Sequence, residues 1–276
     1  MLRAEPGVDR RTLEKLYTKL NRREFVHPDP LELLYLYDDP DDREVVGLIA
    51  STLAYGRVKQ ILKSASNALD RMGPHPAAFV RDSSPDSLRR AFAGFKHRFT
   101  TGGALSSMLD GVRVAVDRHG TLGGFFSTLL GPEDETVLSA LTSFVGAITD
   151  ASCASSGLEG ASPLPDPERG SACKRLHLFL RWMVRSDDVD PGGWDTVPAS
   201  KLIVPLDTHM HRLSLLLGLT DRKQANGRTA LEVTSAFRSF SPSDPVKYDF
   251  ALTRLGIRDD LSEEALLLGR AGRKAS

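Results

Sequence analysis

Cysteine is nearly absent. Cys153 and Cys173 are the only two in the chain, and neither sits in a Cys-x-x-Cys pair. That excludes a disulfide framework, a thiolate zinc site and a four-cysteine iron–sulfur cluster, and it suits a reduced setting. Long apolar runs are missing too: none reaches the roughly 20 residues that span a bilayer. The opening Met1-Leu2-Arg3-Ala4-Glu5-Pro6 lacks a signal-peptide core. The sequence therefore predicts a cytoplasmic protein with no membrane partner. A surplus of one charge is also lacking, with 36 basic residues against 36 acidic ones. Nucleic-acid binders usually carry a basic excess, so this balance argues mildly against one. Finally, there is no Gly-rich nucleotide loop, no internal repeat and no sustained strand alternation.

The charges that are present are segregated. Acids gather early, at Asp38, Asp39, Asp41, Asp42 and Glu44. Bases gather at Arg57, Lys59 and Lys63, at Arg89, Arg90, Lys96, His97 and Arg98, and from Arg169 to Arg185. One basic face on a neutral protein is enough to hold phosphates, although solvated helix faces explain any single cluster as well.

Apolar residues recur with a helical period almost throughout, which predicts an all-α fold of about ten helices. The expected helices cover Arg10 to Arg23, a short segment through Tyr37, Val45 to Tyr55, Arg57 to Met72, Pro85 to Ala93 and Ala104 to Arg118. They continue with a small apolar helix before Leu130, Glu133 to Thr149, Ser171 to Arg185, Asp207 to Leu217 and Gly227 to Phe240. A last core helix starts at Pro242 or Asp244 and runs through Leu255. Ser262 to Leu268 reads as a turn or more in a ragged tail. Val45 to Tyr55 is apolar on most sides and should be the central buried helix. Ala151 to Gly170, rich in Ser, Gly and Pro, reads as an exposed loop.

Val204-Pro205-Leu206-Asp207-Thr208-His209-Met210-His211-Arg212-Leu213 carries the most chemistry. Asp207 stands where a helix begins, where its carboxylate accepts from free backbone N–H groups that favour its ionised form. It reads as a cap, or as a fixed negative charge for an enzyme that stabilises positive charge. Asp-x-His-x-His suggests metal ligands, but side chains two apart on a helix diverge, so no metal site is expected. Lys174, taken alone, reads as a solvated lysine at a helix start.

Leu206-Asp207-Thr208-His209, leading into an apolar helix, and Gly170-Ser171-Ala172-Cys173-Lys174 together resemble the helix–hairpin–helix DNA glycosylase superfamily. The second segment is similar to that group's Gly-x-Gly-x-Lys hairpin, with Ala172 in place of the second glycine. The long separation of Lys174 from Asp207 resembles the archaeal 8-oxoguanine glycosylase branch. Nearly the whole chain also resembles a bacterial family known as domain of unknown function 2400. The phrases that carry this are Arg181-Trp182-Met183-Val184-Arg185, Pro205 to His209, and Asp244 to Leu252.

The glycosylase resemblance implies a single unit, residues 1–276. Its central bundle would be 40–150, with 1–39 and 151–276 supplying the hairpin-like segment, the Asp207 helix and the closing helices around a cleft. It implies a base-excision repair glycosylase with AP lyase activity on damaged double-stranded DNA, 8-oxoguanine included. Such an enzyme would act as a monomer without cofactor and associate with the nucleoid when bound. Lys174 becomes the Schiff-base nucleophile and Asp207 the stabilising carboxylate. His177, Trp182, Trp194, Lys247 and Asp249 become candidates to line the base pocket; core packing is the favoured alternative for both tryptophans, packing or orienting Lys174 the alternative for His177, and a structural hydrogen-bond network the favoured alternative for Lys247 and Asp249. Arg57, Lys59, Gly170, Ser171, Ala172 and Arg175 become candidates for phosphate contact. The rival reading is a DNA-binding protein of the same fold without catalysis, which the altered hairpin and the zero net charge favour.

Overall fold

The computed structural model of the chain describes residues 7–156 and 162–257. Among these residues the fold is all-α apart from one small hairpin. The helices are α1 (Arg10–Leu20), α2 (Pro40–Thr52), α3 (Val58–Asp70), α4 (Pro76–Asp82), α5 (Pro85–Ala91) and α6 (Gly102–His119), followed by α7 (Leu122–Leu129), α8 (Leu138–Ser156), α9 (Lys174–Val184), α10 (Thr208–Leu216), α11 (Gly227–Phe240) and α12 (Asp249–Ile257). Strands β1 (Lys96–His97) and β2 (Thr100–Thr101) pair antiparallel between α5 and α6.

Helix α2 is the centre, as its all-round apolar sequence predicts. Asp39 caps it by accepting from the Asp41 N–H at 2.9 Å. Pro40 fills the first helical position, where no amide hydrogen is missed. Val46, Ile49 and Ala50 are fully enclosed. The helix contacts α3, α4, α7, α9 and the 3-10 segment Pro30–Leu36. Gly47 permits this crowding, since a Cβ there would stand 3.3 Å from the Met183 side chain. Gly111 does the same where α6 meets α8: a Cβ would lie 2.1 Å from the Ile148 carbonyl oxygen. One contiguous apolar core runs from Val8 to Leu255 and draws on every α-helix described.

Several boundaries differ from expectation. The first helix stops at Leu20, and the segment before Tyr37 is 3-10 rather than α. Gly73-Pro74-His75-Pro76 reads as a stop with no helix before Pro85; Pro76 instead opens α4, at the position that proline favours. The β1–β2 hairpin is too short to show alternation. Helix α8 begins at Leu138 instead of Glu133 and continues into the stretch expected to be loop. There Ser152 is buried and bonds to Ser107 on α6, so a neighbour overrides weak local propensity. The last helix begins only at Asp249, after the turns of Pro242 to Tyr248. The turn expected at Ser262 to Leu268 lies outside the described residues.

Candidate active site

The extended approach Leu202 to Leu206 is buried, and the Val204 N–H donates to Thr234 Oγ1 on α11 at 3.0 Å. This anchored strand delivers Asp207 to the start of α10. Asp207 Oδ1 accepts from the N–H groups of His209 (2.9 Å) and Met210 (2.8 Å). Its other oxygen, Oδ2, faces Lys174 Nζ at 3.0 Å. One carboxylate thus caps a helix and pairs with an amine at once. Burial pushes its pKa up, but the Lys174 charge and the Met210 N–H outweigh that and hold it below the usual carboxylate range.

Lys174 is the first residue of α9. The segment before it is pinned in place: the Gly227 N–H donates to the Gly170 carbonyl at 3.0 Å, and Ser171 bridges Asn226. Gly170 takes a left-handed turn at φ 74°. Cys173 is also left-handed, at φ 42°, an unfavourable state for a residue with a side chain. Such strain survives only where surrounding contacts enforce it. Here buried Cys173, Leu176, Phe179 and Leu180 hold α9 so that Lys174 points at Asp207. The Lys174 side chain remains 35% exposed and that of Asp207 26% exposed.

Both residues line a cavity of about 470 Å3, with Tyr55, Gly56, Ile61, Trp182 and Pro205 among its walls. Part of its wall is ionic, with the charges paired. Arg181 bonds Asp249 at 2.5 Å, and Arg254 bonds Asp29 at 2.8 Å, all four residues also lining the space. Behind them Arg181 and Arg185 share the fully buried Asp190. Trp182 Nε1, Asp249 Oδ1 and Arg254 Nε are enclosed polar atoms without a hydrogen-bond partner. Burial raises the Asp249 pKa against the opposing pull of Arg181, and nearby Asp207 adds to the rise.

The other residues singled out from sequence scatter. Trp182 and Asp249 reach the cavity. His177 is packed in the core, where burial drives its pKa down to about 4 and keeps the ring neutral. Trp194 is buried against Phe126 and Phe179 and donates to Glu44 at 3.0 Å, away from the Lys174 cavity. Lys247 pairs with Glu14 at 2.8 Å over the Tyr17 ring. Arg175 donates to the Thr52 carbonyl at 2.6 Å and lies over the Tyr55 ring. Arg57, Lys59, Gly170 and Ser171 are exposed, whereas Ala172 is buried. His211 bonds the Arg222 carbonyl at 2.7 Å. Among the described residues no group of three or more His, Cys, Asp or Glu could hold a metal ion. Nor is any described helix long and apolar enough to cross a membrane.

Sequence reasoning missed Tyr55, Asp29 and Arg254 as cavity walls. They come from three distant segments, which only the fold brings to the cavity that Lys174 lines. A family model described as protein of unknown function (DUF2400) matches residues 29–258, and the chain belongs to that family. No curated protein and no solved structure matches the chain.

Proposed function

We propose that this member of the DUF2400 family is a DNA base-excision repair glycosylase with AP lyase activity, in which Lys174 attacks and Asp207 stabilises. The observation that carries the reading is the 3.0 Å approach of Lys174 Nζ to Asp207 Oδ2 at the edge of a walled cavity. The order of the two residues, each at a helix start, adds the resemblance to helix–hairpin–helix glycosylases. A damaged base such as 8-oxoguanine swings out of the duplex into the cavity, since its glycosidic bond is out of reach in the stack.

The chemistry needs a nucleophile and a fixed negative charge on one sugar carbon. Lys174 gives up a proton to solvent, and its free Nζ lone pair attacks C1′ as the C1′–base bond breaks. The base leaves with the bonding electrons and takes a proton. Positive charge develops on the sugar, and the Asp207 carboxylate, already held ionised by two N–H groups, offsets it. A second proton passes from Nζ to O4′ as the C1′–O4′ bond opens, which leaves a protonated Schiff base. Loss of a C2′ proton then expels the 3′ phosphate and nicks the strand.

The test is borohydride trapping on duplexes holding 8-oxoguanine or an abasic site. The wild-type chain should form a covalent adduct that Lys174→Gln abolishes. Salt-sensitive DNA binding without an adduct would leave a non-catalytic DNA-binding protein, and no binding at any salt would remove DNA from the account.

A further inference from the structure

The β1–β2 hairpin places one large apolar ring in water. Phe99 is 86% exposed, the most of any large hydrophobic among the described residues. It shares the two-residue turn with Arg98, between the paired His97 and Thr100. The turn is held rigidly. Tyr55 Oη donates to the His97 carbonyl at 2.8 Å and receives the Thr100 N–H at 3.1 Å. The buried His97 ring bonds Ser64 Oγ at 2.9 Å and the Tyr55 carbonyl at 3.1 Å. Arg98, left-handed at φ 51°, places its guanidinium 5.8 Å from the Phe99 ring and 6.0 Å from the Tyr55 ring. It also lies against Gly56, where a Cβ would meet Arg98 Nη1 at 2.8 Å. Tyr55 and Gly56 are themselves walls of the Lys174–Asp207 cavity. The exposed ring therefore stands on a braced tip beside that cavity.

The surroundings are cationic. Lys96, Arg98, Arg57 and Lys59 are exposed, and among the described residues none has a carboxylate within ion-pairing distance. A neutral chain thus carries unneutralised positive charge on the hairpin that bears the ring and at the start of α3, which packs against β1. A protein-binding hot spot would favour a ring set in an apolar patch, whereas a nucleic-acid backbone calls for cations around a stacking surface.

We propose that Phe99 inserts into the base stack of duplex DNA at the step vacated by the nucleotide held in the cavity, with Lys96, Arg98, Arg57 and Lys59 on the flanking phosphates. The partner chemistry is a duplex with a missing or extruded base. The inference rests on the glycosylase reading. Extruding a nucleotide leaves two unstacked base faces, and an apolar side chain pushed into the gap replaces part of the lost stacking. The braced backbone limits what the turn loses on entry, and a phenylalanine has only two side-chain torsions to fix.

The experiment measures binding of the full chain to three duplexes: one with a tetrahydrofuran abasic analogue, one with the same analogue opposite 2-aminopurine, and one intact. The wild type should prefer the gapped duplex and change the 2-aminopurine emission. Phe99→Ala should lose about tenfold or more of its affinity for the gapped duplex, the scale of one stacked base, and abolish the emission change. Phe99→Trp should restore both. Equal gap preference in wild type and Phe99→Ala overturns the inference, as does wild-type binding that leaves 2-aminopurine unaffected. If the wild type is trapped by borohydride yet shows either result, this inference alone falls. If it neither binds nor is trapped, the function reading falls with it.

Discussion

Two ionic clusters share one helix in this protein and live by different rules. At the start of α9, Lys174 meets a single carboxylate, and both side chains keep contact with the cavity. Two turns on, Arg181 and then Arg185 meet Asp190, Asp249, Asp187 and Asp244 with their guanidinium groups almost wholly enclosed. Burial pulls the Arg181 and Arg185 pKa values down, but the surrounding carboxylates dominate and raise both. Their charge is therefore permanent and committed to structure. The Lys174–Asp207 pair has fewer partners and an open side, as the proposed chemistry requires of it. Enclosure and the number of counter-charges, rather than the identity of the ions, separate the sealed cluster from the open pair.

The comparison can be pressed hardest at Asp190. Asp190→Ala leaves two buried arginines short of their shared partner and should cost about 3–5 kcal/mol, read by urea denaturation. A loss under about 1 kcal/mol would mean that water reaches the cluster and the contrast is false. Next comes Gly111→Ala, which forces a methyl group onto the Ile148 carbonyl; about 1–3 kcal/mol is expected in the same assay. Asp207→Ala removes a cap and should cost about 1 kcal/mol, whereas Asp207→Ser should restore most of that. Neither variant should be trapped by borohydride at the wild-type rate, because serine caps but carries no charge. The smallest effect belongs to Lys174→Gln: stability should change by less than about 1 kcal/mol, as for other half-exposed pairs, while trapping disappears.

Asp207 also sets a pH test. Its native pKa is depressed, so its contribution is complete above the unfolded aspartate value of about 3.9 and drains away as pH falls through the lower native value. Asp207→Asn should flatten that acid limb of the stability curve. An unchanged limb would mean that the carboxylate gains nothing from Lys174 and the Met210 N–H.

Much of the helical layout was legible because it is a local matter. Gly227 to Phe240 is predicted and found with the same ends, since Asn226 caps it through a bond to the Thr229 N–H at 3.1 Å and its apolar spacing is regular. The capping role of Asp207 was equally readable. The failures have other causes. The end of α8 depends on Ser152 finding Ser107 on α6, and the hairpin depends on Tyr55 donating to the His97 carbonyl and accepting from the Thr100 N–H. Trp194 and His177 suit either recognition or packing by type alone, and the fold packs both inside, the alternative that the sequence left open.

By itself, the sequence determined the all-α class, the burial of α2 and the carboxylate at the start of α10, because period and capping act within a few residues. The resemblance paired Lys174 with Asp207 and the fold brings them to 3.0 Å, while tertiary structure alone decided that Arg181 and Arg254 help wall the cavity and that Phe99 stands beside it. Those relations join segments far apart in the chain. They hold because buried charges must find partners and apolar faces must be covered, demands that only the folded whole can satisfy.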